Sequence, residues 1–193
     1  YLLNRAESQC RLEGFFYKRN NKKGISDNLL EAILNWEKLR KGEKVLATEA
    51  RQIYKYMSSN KGVTRSFKSL KMVIDSQFLS LQDLLASFGL LTTSIWHEAF
   101  DRLGVKEREY LISCLRRNEN TNTPRIKLTT IHASKGGESD NVVLLTDVAG
   151  STWEELTHNP DTENRTFYVG ITRTRQNLHV IQSFTNKYFT IAY

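Results

Sequence analysis

Ile126-Lys127-Leu128-Thr129-Thr130-Ile131-His132-Ala133-Ser134-Lys135-Gly136-Gly137-Glu138, read together with Thr172-Arg173, decides what fold this chain adopts. From Ile126 to Ile131 apolar and β-branched residues alternate, which is the period of a strand. That strand feeds a loop of small and polar residues, His132, Lys135, Gly136, Gly137 and Glu138, suited to meeting a charged ligand. Asn141-Val142-Val143-Leu144-Leu145 is a continuous apolar run and predicts a second strand, buried on both faces as in a parallel sheet, with Asp147 just past its end. From Glu163 the spacing turns helical, with Phe167, Tyr168, Val169 and Ile171 set among Arg165, Arg173 and Arg175; Leu178-His179-Val180-Ile181 returns to a strand. Strand, loop, strand, helix, strand is the order of an open α/β sheet, whose ligands collect at the carboxyl ends of the strands.

The 193 residues and 39% hydrophobic content give room for one large or two small cores and exclude a disordered tail. The formal charge of +7 favours a polyanionic partner, although basicity alone leaves nucleic acid one option among several. Cys10 and Cys114 are far apart with no second pair, so neither a disulfide framework nor a zinc site is expected, and a reducing cytoplasm is the natural setting. No run approaches the roughly twenty apolar residues that span a bilayer, and the first residues lack a basic-then-apolar leader. The chain opens on Tyr1 without an initiator methionine and is expected to be a fragment of a longer polypeptide.

The middle of the chain is patterned differently. Asn28 with Glu31 marks a helix start, and Leu29, Leu30, Ile33, Leu34 and Trp36 set an apolar stripe that Gly42 ends. Thr48 opens a second helix carrying Ile53, Tyr54 and Met57 and closing near Gly62. Further helical periods run over 66–75, 80–88 with Ser80 as cap, 95–103 and 106–117, and neither Pro124 nor Pro160 falls inside any of them. These segments predict a helical subdomain inserted into an α/β domain, with the Asn-rich run from Asn118 to Pro124 as its exit linker.

Residues 130–138 resemble motif V of the superfamily 1 DNA helicases of the UvrD/Rep/PcrA group, and residues 163–173 resemble their motif VI. Leu2-Leu3-Asn4-Arg5-Ala6-Glu7-Ser8-Gln9 is similar to motif IV, a strand that ends in an arginine. The resemblance implies a RecA-like parallel sheet domain interrupted by a mostly helical insertion. Residues 1–27 and 122–193 would form the second RecA-like helicase domain and residues 28–121 the insertion. It implies an ATP-dependent DNA helicase that translocates on single-stranded and junction DNA, 3′ to 5′, in repair or replication, in the cytoplasm of a bacterium or phage-infected cell.

The same resemblance implies roles for individual residues. Arg173 is the expected arginine finger, reaching the γ-phosphate across a cleft, where an arginine neutralises charge spreading over the transferred oxygens; the competing reading is a surface ion pair. Arg5 would be the second catalytic arginine. Glu138 would accept a hydrogen bond from a ribose hydroxyl, while Lys135 and Gly136 would lie close to the nucleotide or its coupling elements; for Glu138 and Lys135 the alternative is a solvated loop charge. Thr130 and His132 would face the DNA strand, hydrogen-bonding its phosphates. Tyr168 is expected in the core, and Glu163 with Arg165 in an internal ion pair, although residues two apart do not face each other on a helix. The clusters Lys18-Arg19, Lys22-Lys23 and Arg116-Arg117 read as solvated faces, with a duplex-DNA contact as the alternative.

Gly137, Ser139, Thr162 and Thr174 depart from the usual pattern and point to a divergent, phage-like branch. No G-x-x-x-x-G-K-[ST] phosphate loop occurs in the sequence. ATP and Mg2+ would therefore be held mainly by an N-terminal RecA-like domain of the same polypeptide, with no metal ligand here and no membrane partner. Two other readings stand beside this one: a helicase-nuclease subunit of the AddA/RecB type, distinguished by a nuclease domain encoded further on, and a degenerate helicase domain kept as a DNA- or protein-binding module.

Overall fold

The computed structural model describes residues 2–120, 122–183 and 185–191; Thr121 of the expected linker lies outside the described residues. The chain divides into two compact units, Tyr1–Leu128 and Thr129–Tyr193. The division falls later than the expected boundary at 121/122, and the first 27 residues belong to the same unit as the helical stretch.

The first unit opens with helix α1 (Leu2–Glu13), not with the strand expected for the motif IV match. The physical reason is local. The segment has no β-branched residue and is rich in Leu, Arg, Ala, Glu and Gln, which lose little rotamer freedom in a helix. Gln9 Nε2 donates to Glu13 Oε1 at 3.0 Å across one turn. Gly14, at φ +71°, then reverses the chain in a conformation that costs an L side chain about 1–2 kcal/mol. Two short strands follow, β1 (Tyr17–Arg19) and β2 (Lys22–Lys23), an antiparallel pair joined at Asn20-Asn21.

Helix α2 (Asp27–Arg40) starts one residue earlier than the reading from Asn28, because Ser26 is its cap: the Ser26 hydroxyl accepts from Leu29 N at 3.3 Å. It buries Leu29, Ala32, Ile33, Trp36 and Leu39, a stripe of three- and four-residue spacing. Trp36 is fully buried and still satisfies its indole N–H, which donates to Ser94 O at 3.0 Å. After β3 (Val45–Leu46) comes α3 (Ala47–Lys55), whose first turn is tied back by Glu49 Oε2 accepting from Leu46 N at 2.7 Å.

The helix expected over 66–75 does not form. Only a short 3-10 turn, Arg65–Phe67, is present, and beyond it Arg51 pins the chain by donating to the carbonyls of Leu70 and Val73 and pairing with Asp75. Strand β4 (Phe78–Leu79) pairs with β3, and α4 (Leu81–Ser87) begins at the expected Ser80 cap, whose hydroxyl and Asp83 carboxylate serve each other's backbone. Only Trp96–Ala99 of the 95–103 segment is helical (α5), whereas α6 (Val105–Arg116) matches its expectation. Strand β5 (Ile126–Leu128) then pairs in parallel with β1, so that the sheet order is β2-β1-β5 and the chain before and after the helical stretch lies on neighbouring strands.

The second unit holds β6 (Ser139–Leu145), α7 (Gly150–His158), α8 (Pro160–Ile171) and β7 (Thr174–Ile181). Pro160 sits at the first turn of α8, where its missing N–H leaves nothing unsatisfied. β6 and β7 are parallel and joined over most of their length. Helix α8 covers one face of this pair, burying Leu144 and, through Phe167, stacking on Phe189 with centroids 4.0 Å apart. Val143, on the other face, is 62% exposed. The expectation that residues 141–145 are buried on both faces is therefore met on one face only, since period-2 alternation sends successive side chains to opposite sides. Among the described residues the α/β composition is as read, in small sheets: one mixed three-stranded, one antiparallel pair and one parallel pair.

Candidate functional site

The loop between β5 and β6 is built around Thr130. Its hydroxyl accepts from Ala133 N at 3.2 Å and its carbonyl from Ser134 N at 3.1 Å, closing the 3-10 turn His132–Ser134. A hydroxyl that accepts one bond keeps its own proton, so Thr130 still has a donor to offer. Ser134 Oγ donates to Ile131 O at 2.7 Å and tightens the same turn. His132 and Lys135 lie in this loop, both exposed, and among the described residues neither side chain has a hydrogen bond or ion pair. Gly136 has φ +76° and nothing within 4 Å of where a Cβ would stand, so its backbone is open to close approach.

Arg173 follows the end of α8 and reaches into this loop. Its Nε donates to Val169 O at 3.0 Å, Nη1 to Gly137 O at 3.3 Å and Nη2 to Thr172 Oγ1 at 3.2 Å. Its carbonyl accepts from Ser139 N at 2.9 Å. The side chain is half-buried and held by neutral oxygens; among the described residues no carboxylate pairs with it, so the surface ion pair is not formed. Among the described residues no anionic side chain offsets the guanidinium. Gly170 allows the closeness of α8 to the sheet: a Cβ there would stand 3.1 Å from Leu144 Cδ1 and 3.3 Å from Ile131 Cδ1.

Glu138 pairs with Arg175, Nε to Oε2 at 3.1 Å, and Arg175 Nη1 is 3.8 Å from Asp140. Both partners of the closer pair are more than half exposed, so the bond orients the carboxylate without adding much stability. Sequence reading missed Arg175 as a site residue. The signal lies in the β6–β7 register, which sets Ser139 opposite Thr174 and so brings Arg175 beside the acids of the loop.

Thr130, His132, Lys135, Gly136, Glu138 and Arg173 therefore all belong to the second unit and to one loop and the helix end beneath it. Arg5 belongs to the first unit, exposed on α1, and not at the end of a strand. Two further expectations are corrected. Tyr168 is 68% exposed rather than in the core, because on α8 Phe167 and Gly170 take the sheet-facing positions. Glu163 is buried and Arg165 exposed, and they form no ion pair, as the angular separation of residues two apart on a helix requires. Among the described residues no three His, Cys, Asp or Glu side chains converge as a metal site, and no helix is long and apolar enough to cross a membrane.

No curated protein and no solved structure matches the chain. The profile of the UvrD-like helicase C-terminal domain matches residues 17–185, a span that includes the whole loop, α8 and Arg173 but not Arg5. With most of its length matched in this way, the chain belongs to the UvrD-like helicase C-terminal domain family.

Proposed function

We propose that the chain is the C-terminal motor half of an ATP-dependent DNA helicase, working with an N-terminal RecA-like domain that holds most of the nucleotide and its Mg2+. The observation that carries this reading is the bond from Arg173 Nη1 to Gly137 O. It ties a charge-bearing guanidinium to the loop that also presents Thr130 and His132, so a group suited to a phosphate and groups suited to a DNA backbone are linked through one loop.

The donor set fits a nucleoside triphosphate. ATP, when bound, supplies the phosphoryl group whose transfer releases the free energy of translocation. Arg173 meets negative charge on the terminal phosphate, where an uncompensated guanidinium is most effective. The exposed Lys135 ammonium and the open backbone at Gly136 receive the nucleotide, and Glu138, oriented by Arg175, accepts from a ribose hydroxyl. Thr130 and His132 hold single-stranded DNA by its phosphates. We assign Arg5 the role of a second catalytic arginine. Residues 1–27 and 122–193 are assigned to the RecA-like domain and 28–121 to its insertion; the parallel β1–β5 pairing supports this, since it sets both ends of the insertion on adjacent strands.

The test is single-strand-stimulated ATP hydrolysis by the full-length parent, wild type beside Arg173→Ala. The expected outcome is a loss of turnover on the order of a thousandfold with DNA binding retained. A parent that binds DNA and never hydrolyses ATP replaces the motor reading with that of a binding module.

A further inference from the structure

The three-stranded sheet of the first unit carries an arrangement that its packing does not require. In the β1–β2 pair, Lys18 lies directly opposite Lys23 and Arg19 opposite Lys22. On the other side of β1, Lys18 lies opposite Lys127 of β5. Lys23, Lys18 and Lys127 therefore form one cross-strand row on a single face, about 10 Å across at the ordinary strand spacing. Directly opposed like charges destabilise a sheet, and little here relieves them. Lys23 pairs with Asp27 at 2.5 Å, but among the described residues neither Lys18 nor Lys127 has a carboxylate partner. Arg19, on the opposite face, is held by Glu7 at 2.8 Å. Arg125, just before β5, pairs with Glu119 at 2.8 Å while its own side chain stays 62% exposed.

We propose that the row Lys23–Lys18–Lys127 is a docking face for the sugar–phosphate backbone of duplex DNA. The proposal goes beyond the motor reading and rests on it only in taking DNA as the polyanion. Duplex DNA carries a negative charge for every ~1.7 Å of its axis, so a cationic row of this width meets several charges and releases their counterions. The face offers no platform for single strands, which bind by stacking bases on exposed rings. Phe16 and Tyr17 are buried, and Phe15 is covered by the guanidinium groups of Arg117 at 4.6 Å and Arg125 at 5.0 Å. The row reads no sequence, since it contacts phosphates alone.

The experiment is a salt titration of the 193-residue chain against a short labelled duplex and a single strand of equal length, followed by fluorescence anisotropy. It compares wild type, the triple variant Lys18→Gln/Lys23→Gln/Lys127→Gln, the triple Lys→Arg variant and His132→Ala. With three phosphate contacts, wild type should lose roughly 40-fold more duplex affinity than the triple Gln variant between 50 and 200 mM salt. The Arg variant should behave as wild type, and His132→Ala should weaken single-strand binding without changing the duplex slope. An unchanged duplex slope in the triple Gln variant, or a loss confined to the single strand, overturns the proposal. A chain that does not bind duplex at all also overturns it. Failure of His132→Ala to affect the single strand counts against the motor reading alone.

Discussion

Arg173 shows how single side chains set the chemistry here. Its guanidinium is oriented by carbonyl and hydroxyl oxygens, which fix its direction without an anionic partner among the described residues. The Glu138–Arg175 pair does the complementary task for a carboxylate, and its exposure makes it expendable for folding. Arg175→Ala should leave the melting temperature within about 1–2 °C of wild type, as expected of an exposed pair, while raising the parent's KM for ATP; thermal melts and steady-state kinetics check the two halves. Thr174 is different: its hydroxyl is buried with no hydrogen-bond partner among the described residues. Thr174→Ala should therefore stabilise the chain by up to about 1 kcal/mol, measured by urea unfolding. Burial pushes Tyr17 up to about 12, aided by the Glu7 carboxylate that accepts its O–H at 2.7 Å, and burial pushes Cys114 up to about 11. Tyr54 and Tyr110 move upward for the same reason. All four hold their protons longer when folded, so the stability they contribute is complete below about pH 9 and falls as pH rises through 11 to 12. Melting temperatures across that range should drop, and less steeply in Tyr17→Phe.

At the scale of elements, helix ends carry much of the specification. Gly14 stops α1 at φ +71°, and a Cβ there would stand 2.8 Å from the Ser113 carbonyl carbon. Gly14→Ala should cost at least about 1–2 kcal/mol from the backbone conformation alone, seen as a lower midpoint in denaturant. The lysine row makes the opposite prediction: in the absence of DNA and at low salt, the triple Gln variant should be more stable than wild type by a few tenths to about 1 kcal/mol per opposed pair. Elements with strong local signals were legible beforehand. Helix α4 had Ser80 and Asp83, α2 had its apolar stripe, and α6 ended where it should. The segment 66–75 shows why others were not. Its periodicity is helical, yet Arg51, from α3, takes the carbonyls of Leu70 and Val73 that a helix would have used.

For the whole molecule, the local sequence reached the family but not the assembly. The loop from Thr130 to Glu138 and the α8 segment determined by themselves that an α/β unit presents an arginine and a polar loop together, because turn chemistry, strand period and helix period are properties of neighbouring residues. The lack of a phosphate loop in the sequence predicts that the isolated chain shows no DNA-stimulated ATP hydrolysis above background, and a turnover assay on the purified chain decides it. Tertiary structure decided what depends on residues distant in sequence. It placed residues 2–13 in the same unit as the helical stretch, turned Tyr168 outward where Phe167 faces the sheet, set Arg175 beside Glu138, and lined up Lys23, Lys18 and Lys127. Strand register and the covering of one sheet face by a helix are long-range choices, and no window of neighbouring residues contains them.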